Sequence, residues 1–244
     1  MAVSGHATFR IAFRKAGRDI GCYDEHMIKR SHTAYDTLKR VVDLLVSAIA
    51  LVVLSPVFAV VALLVRAKLG SPVIFRQPRP GRDGRIFTLY KFRSMRDATP
   101  GASAAAAVAS DSERLTPFGR RLRSTSLDEL PELLNVFRGE MSIVGPRPLL
   151  PEYLDRYNSE QARRHEVRPG ITGWAQVNGR NAVSWDERFK MDTYYVDHRS
   201  FALDARILVM TVSAVVSREG VSASGVDTMQ PFMGTAEHDA TKES

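Results

Sequence analysis

The chain has 244 residues, enough for one good-sized domain with appendages. Hydrophobic residues make up 44% and charged residues 25%, a balance that excludes a largely disordered protein. The formal net charge of +7 points to anionic partners, whether phosphates, nucleic acid or an anionic membrane surface. The single cysteine, Cys22, excludes an intramolecular disulfide and a cysteine-based zinc site.

The first 38 residues are polar and basic, with Arg10, Arg14, Lys15, Arg18, Lys29 and Arg30, and hold no apolar stretch of the secretory type. They read as a solvated tail or as a segment lying on anionic lipid. An apolar run follows, VVDLLVSAIALVVLSPVFAVVALLV over 41–65. A straight helix of about 25 residues is long enough to cross a hydrocarbon core of about 30 Å. Proline, however, removes a backbone donor and clashes with the preceding turn, so the helix is expected to break at Ser55-Pro56. The Ser55 hydroxyl is placed to cap groups freed there. Each half is then too short to cross alone. Lys39 and Arg40 precede the run, and Arg66 and Lys68 follow it. Positive charge marks the cytoplasmic flank. The pattern therefore predicts a re-entrant helix–break–helix, with a kinked span and a buried core helix as alternatives. Asp43 is expected to pair with Lys39 or Arg40 near the headgroups, because a lone charge at that depth is costly.

Residues 73–93 predict a β-hairpin: Val73-Ile74-Phe75 and Ile86 to Tyr90 are strand-like, and Pro80-Gly81-Arg82-Asp83-Gly84 supplies the turn. Residues 97–112 are small and low in complexity and read as a flexible loop. From Leu115 to Leu134 the sequence predicts a short basic helix, a turn at Ser124-Thr125-Ser126, and a second helix. Residues 152–166 are helical by pattern, 168–185 loop-like with Gly170, Gly173 and Gly179 as punctuation, and 184–198 helical. Residues 201–217 form a last apolar helix, too short to span, suited to the core or to the membrane surface. Beyond Ser217 the tail is polar and expected to be disordered. The domains so delimited are 1–38, a basic N-terminal segment; 39–70, the re-entrant helix; 71–217, a catalytic domain; and 218–244, the tail.

Asp128-Glu129 is the pair most suggestive of chemistry. Helix capping accounts for it in one reading: Ser126-x-x-Glu129 fits a capping box, whereas a cap at Asp128 places Pro131 in the first turn, where proline is tolerated. The surroundings favour another. Arg120, Arg121 and Arg123 lie just upstream, and Lys91, Arg93 and Arg147 add further cations. A carboxylate amid cations is expected to keep a low pKa and stay ionised. The same cations and a helix N-terminus hold phosphates. An ionised carboxylate beside bound phosphates is what covalent phosphoryl transfer requires. A divalent cation, magnesium by the ligand set, would relieve the repulsion between carboxylate and diphosphate.

Four segments in order, KRxxDxxxS…SP from Lys39, KFRSM (91–95), LRSTSLDELPELLNVFRGEMSIVGPRP (122–148) and RPGITGWAQVNGRNAVSWDERFKMDTYYVDH (168–198), resemble the bacterial sugar transferases. These are the monotopic polyprenyl-phosphate phosphoglycosyl transferases, here in their short form, and the resemblance runs from about Lys39 to Val216. It implies a mixed α/β, mainly helical, membrane-associated monotopic domain with the re-entrant helix broken at Ser55-Pro56 and anchored by Lys39 and Arg40. Asp128 matches the nucleophile, also a magnesium ligand, and Glu129 its dyad partner. Arg123 and Arg147 match residues near the bound phosphates, with Lys91 and Arg93 beside them, and Gly179-Arg180-Asn181 falls in a loop for nucleotide or sugar contact. The implied reaction moves a sugar 1-phosphate from a UDP-sugar to polyprenyl (undecaprenyl) phosphate through a phosphosugar-aspartate, releasing UMP and starting exopolysaccharide, capsule or O-antigen synthesis. The implied place is the bacterial inner membrane, among its lipids, with the catalytic domain on the cytoplasmic face. Competing readings are a non-enzymatic basic membrane scaffold and a nucleotide-sugar diphosphatase with water as acceptor. Nucleic acid is not expected as a partner, since no stacking-aromatic pattern accompanies the charge.

Overall fold

The computed structural model describes residues 33–96, 114–179, 183–216 and 231–234. The basic segment up to residue 32, the loop at 97–112, and Arg180 and Asn181 lie outside the described residues.

Helices α1 (Thr33–Val53) and α2 (Ser55–Leu69) are bent by 63° at the break between them. No single helix among the described residues is long and apolar enough to cross a membrane, whereas this pair together has the length and composition. The break is local chemistry. Pro56 has no N–H to give the Val52 carbonyl four residues back. The Ser55 hydroxyl donates to that carbonyl instead, at 2.8 Å. The ladder is otherwise kept across the bend by Leu54 N–H to Ala50 O and Phe58 N–H to Leu54 O. One face of α2 packs Val61 and Val65 against Phe92 and Leu122. Leu45, Ile49, Val52, Val53, Val60 and Leu63 are exposed, an apolar surface of a kind rarely left to water. Asp43 is buried, and its partners include β3 (Ser142–Val144): its carboxylate accepts from Ser142 Oγ at 2.7 Å and from the Ile143 N–H at 3.2 Å.

Strands β1 (Ile74–Pro80) and β2 (Ile86–Phe92) form the expected antiparallel hairpin, in register from Ile74↔Phe92 to Pro80↔Ile86. Its turn passes Asp83 and Gly84 through positive φ, 56° and 71°. The Arg93 guanidinium donates to the carbonyls of Leu69 and Ser71, which fastens the end of β2 to the C-terminus of α2.

Helix α3 (Pro117–Ser124) is capped by Thr116, whose hydroxyl accepts from the Gly119 N–H. Gly119 lies directly on Ser94: a Cβ there would stand 1.8 Å from the Ser94 carbonyl oxygen. Only glycine lets α3 approach the end of the hairpin this closely. A single 3-10 turn, Leu127–Glu129, follows, then α4 (Glu132–Arg138), closed by Gly139 at φ 89°. Asn135, on α4, pins that helix to β2 by accepting from the Tyr90 N–H at 3.1 Å and donating to Thr88 O at 2.7 Å.

The rest departs from expectation in three places. Residues 152–166 do not form one helix. They divide into a 3-10 turn (Pro151–Arg156), the short α5 (Ser159–Ala162) and a second 3-10 turn (Arg163–Glu166). Asn158 is the reason, since it takes an extended conformation and caps α5 in a capping box with Gln161. The stretch 168–185 is not simply loop: β4 (Gly170–Thr172) pairs in parallel with β3, and α6 (Trp174–Asn178) follows. In the polar tail residues 231–234 are described, and there Phe232 is buried among aromatic rings.

Helix α7 (Trp185–His198) starts at the Ser184–Glu187 capping box, and α8 (Phe201–Val216) completes the chain's helices among the described residues. Ile207 of α8 enters a core with Val144, Val167, Tyr195 and Val196. Tyr195 donates its hydroxyl to Asp204 at 2.9 Å. Leu208, Val209, Val212 and Val215 are exposed, so α8 is core on one face and apolar surface on another.

Candidate active site

Four elements bring the candidate residues together. β2 carries Lys91, the 3-10 turn carries Asp128 and Glu129, α4 carries Glu132, and the loop after β3 carries Arg147. The chain reaches the 3-10 turn through Ser126, which is left-handed at φ 55°, ψ 15° and makes no side-chain cap. α4 begins only at Glu132, after Pro131, again with no side-chain cap. Both capping readings of the Asp128-Glu129 pair are therefore incorrect: proline delays the helix, and neither carboxylate is used to start it.

Glu129 is clamped. Its Oε1 lies 2.6 Å from Lys91 Nζ and 2.8 Å from Arg147 Nη2. Lys91 is shared, reaching Glu132 Oε1 at 3.0 Å. Burial pushes Glu129 up, but the attraction of Arg147 and Lys91, with their hydrogen bonds, outweighs it and holds the group at about 2. Glu132 goes the other way, to about 7, because burial and the charge of Glu129 exceed what Lys91 returns.

Asp128 is buried, and among the described residues no donor is hydrogen-bonded to its carboxylate. Burial, then the neighbouring charge of Glu129, raises it to about 6, against the pull of Lys91, Arg123 and Arg147. The expectation of a low pKa amid cations thus holds for Glu129 and fails for Asp128, where desolvation wins.

The other predicted residues divide by role. Arg123 donates through Nε to Ser94 Oγ at 3.0 Å and lies within electrostatic range of Asp128. Arg93 binds the backbone carbonyls of Leu69 and Ser71 and so ties the hairpin end to the end of α2. Gly179 is buried at the end of α6. Lys39 and Arg40 lie on α1 and Ser55-Pro56 at the bend.

Several positioning residues were not legible in the sequence. Glu132, four residues from Asp128, shares Lys91 with Glu129, and no motif in the sequence singles it out. Arg164 and Asp192 form a buried ion pair at 2.7 Å, 28 residues apart, which no local motif signals. Arg164 Nη2 also donates to the Arg147 carbonyl at 2.8 Å and so fixes that residue's backbone. The glycines of the GPRP and RPGITG segments interlock: Gly145 N–H donates to Thr172 O at 2.9 Å, and Gly170 N–H to Pro146 O at 3.0 Å. A Cβ on Gly170 would meet Gly145 N at 2.1 Å, and one on Gly145 would meet Arg168 O at 2.4 Å.

Among the described residues, one buried carboxylate without a hydrogen-bonded donor stands beside another held by two cations, and helix structure makes no use of either. The pattern of the bacterial sugar transferases matches residues 34–218, and the chain belongs to that family of enzymes. It is 49% identical over 200 residues to the uncharacterized sugar transferase EpsL of Bacillus subtilis, covering 82% of this chain and 98% of that one. It is 39% identical over 196 residues to the exopolysaccharide production protein ExoY of Sinorhizobium fredii, covering 75% and 87%. It is 41% identical over 182 residues to a UDP-glucose:undecaprenyl-phosphate glucose-1-phosphate transferase of Klebsiella pneumoniae, covering 71% of this chain but 39% of that longer protein.

Proposed function

We propose that the protein transfers a sugar 1-phosphate from a UDP-sugar to undecaprenyl phosphate, giving undecaprenyl diphosphate sugar and UMP, and so begins exopolysaccharide, capsule or O-antigen synthesis. The observation that carries this reading is the difference between the two carboxylates: Glu129 is held by Lys91 and Arg147, while Asp128 accepts no hydrogen bond among the described residues. The donor and acceptor named for the Klebsiella relative, and the polysaccharide named for ExoY, support the substrate classes.

In the proposed mechanism the Asp128 carboxylate attacks the sugar-bearing phosphorus, the phosphoanhydride bond breaks, and UMP leaves with its electron pair. Undecaprenyl phosphate then attacks the phosphosugar-Asp128, and the aspartate is restored. Arg147 and Arg123 face the phosphates with positive charge. Glu129, kept ionised, fixes Lys91 and Arg147 in place. Among the described residues no group of three metal-ligating side chains occurs. Asp128, an oxygen donor with no hydrogen-bonded partner among the described residues, suits magnesium, which binds through one or two carboxylates and takes its remaining ligands from substrate phosphates and water. Magnesium bound there would neutralise charge between the carboxylate and the diphosphate. The bent helix pair, with its exposed apolar face, sits in the cytoplasmic leaflet of the inner membrane in this reading, with Lys39 and Arg40 at the headgroups, so that a lipid phosphate and a water-soluble donor meet at one site.

The test is intact-protein mass spectrometry in detergent with magnesium, a panel of UDP-sugars and no lipid acceptor. A gain of one phosphosugar, absent in Asp128→Asn, is expected. UMP release that needs undecaprenyl phosphate and proceeds without any adduct would overturn the covalent step.

A further inference from the structure

Residues 231–234, in what reads as a polar tail, dock on the catalytic domain. Phe232 is 2% exposed. Its ring centroid lies 5.7 Å from Tyr153, 5.8 Å from Tyr157, 5.7 Å from Trp185 and 5.0 Å from Phe189. The Arg156 guanidinium donates to the Phe232 carbonyl, so the backbone is held as well as the ring.

Two of those four rings have a second task. Tyr157 and Phe189 flank Arg164, whose guanidinium carbon stands 5.8 and 5.6 Å from their centroids. Arg164 also receives support from the Tyr157 hydroxyl at 3.2 Å and from Asp192. It passes that support on, donating to the Arg147 carbonyl. Arg147 in turn binds Glu129. Contacts therefore run without a gap from Phe232 to the dyad, ring to ring, ring to guanidinium, guanidinium to carbonyl, guanidinium to carboxylate. Close-packed interiors transmit displacement, because a removed ring leaves its neighbours without partner atoms on one side.

We propose that Phe232 is a positioning residue of the transfer site: by docking, the C-terminal segment holds Tyr157 and Phe189 against Arg164 and so sets Arg147 on Glu129. The proposal rests on the role given above to the dyad. It makes the distal end of the chain part of the site's support rather than an appendage.

The experiment is a double-mutant cycle on kcat/KM in the full chain, with Phe232→Ala and Arg147→Lys as the two changes and Phe232→Leu as a variant that keeps apolar volume. Phe232→Ala is expected to lower kcat/KM by about 10-fold, within the roughly 100-fold that a misplacement of about 1 Å can cost. Arg147→Lys should then cost much less in the Phe232→Ala background than in wild type, since the arginine is already loosened. Independent effects that multiply, or a Phe232→Ala protein with lower Tm but unchanged kcat/KM, would overturn the proposal. Should Phe232→Ala fail to fold, the same cycle with Phe232→Leu decides it. Asp128→Asn in the same assay separates the two questions, because activity retained there sinks the dyad mechanism whatever the cycle shows.

Discussion

Asp128 and Glu129 are adjacent in sequence and opposite in behaviour. The same cations surround both, but only Glu129 is in contact with them, so attraction outweighs desolvation for one and not for the other. In the proposed mechanism the Asp128 carboxylate must be ionised to attack, so the donor kcat/KM should fall as pH drops through about 6. Glu129 stays ionised down to about 2 and adds nothing to that limb, which should have the slope of a single proton. A pH profile between about 4.5 and 8 checks this, and a midpoint near 4 would mean that burial does not govern Asp128. Glu132 carries a stability consequence. Its folded pKa of about 7 lies above the ordinary carboxylate value, so the stability it contributes is complete below that ordinary value and is lost as pH rises through about 7. Glu132→Gln should remove this loss, and thermal unfolding at pH about 5 and 8 would show it as a smaller difference between the two pH values than in wild type. Lys91 holds two carboxylates at once, the half-buried Glu129 and the buried Glu132. Lys91→Met should cost about 3 kcal/mol in chemical denaturation, because it strips a buried charge pair of its cation. At this scale the clustering of Asp128 and Glu129 with Lys91 and Arg147 was legible because these residues sit in contiguous motifs. The Asp128 pKa was not legible because burial is a property of the fold, and nor was the engagement of the Arg93 guanidinium with the end of α2.

Elements with a local cause were legible, and those made by distant contacts were not. The hairpin follows from its turn residues, α7 from Ser184 and Glu187, and the bend between α1 and α2 from Pro56. The parallel pair of β3 and β4 spans three residues on each side, too short for any periodicity, and is held by glycines whose close approach only the fold reveals. α5 and its flanking 3-10 turns alternate apolar positions much as a helix does, and the break depends on Asn158 preferring a cap. Two tests belong here. Gly119→Ala should cost about 1–3 kcal/mol or more in denaturant unfolding, since its Cβ would fall inside the Ser94 carbonyl. Pro56→Ala restores an N–H for the Val52 carbonyl and removes the ring clash, so the 63° bend should relax. Electron-spin distances between labels at Val46 and Leu63 should lengthen, and an unchanged distance would place the cause of the bend elsewhere.

For the molecule as a whole, two long-range ties matter more than any one element. Asp43 fastens the apolar helix pair to β3, and Phe232 fastens the C-terminal segment over the aromatic cluster. Neither tie has a local signal: Asp43 lies 99 residues from Ser142, and Phe232 sits in a stretch whose composition is that of a tail. Asp43→Ala should destabilise the folded protein by about 2 kcal/mol, the worth of buried hydrogen bonds to a charged acceptor, measurable as a lower Tm in detergent.

The interlocked glycines at 145 and 170 have a practical consequence. The contact there is peptide against peptide, with no rotamer to adjust and no side chain to exchange, so the span from Arg168 to Arg147 behaves as a stiff ruler. Directed evolution toward a new sugar donor would find no gradual path through those two positions, because every replacement must first open the ruler. Libraries aimed at donor choice should therefore leave positions 145 and 170 untouched.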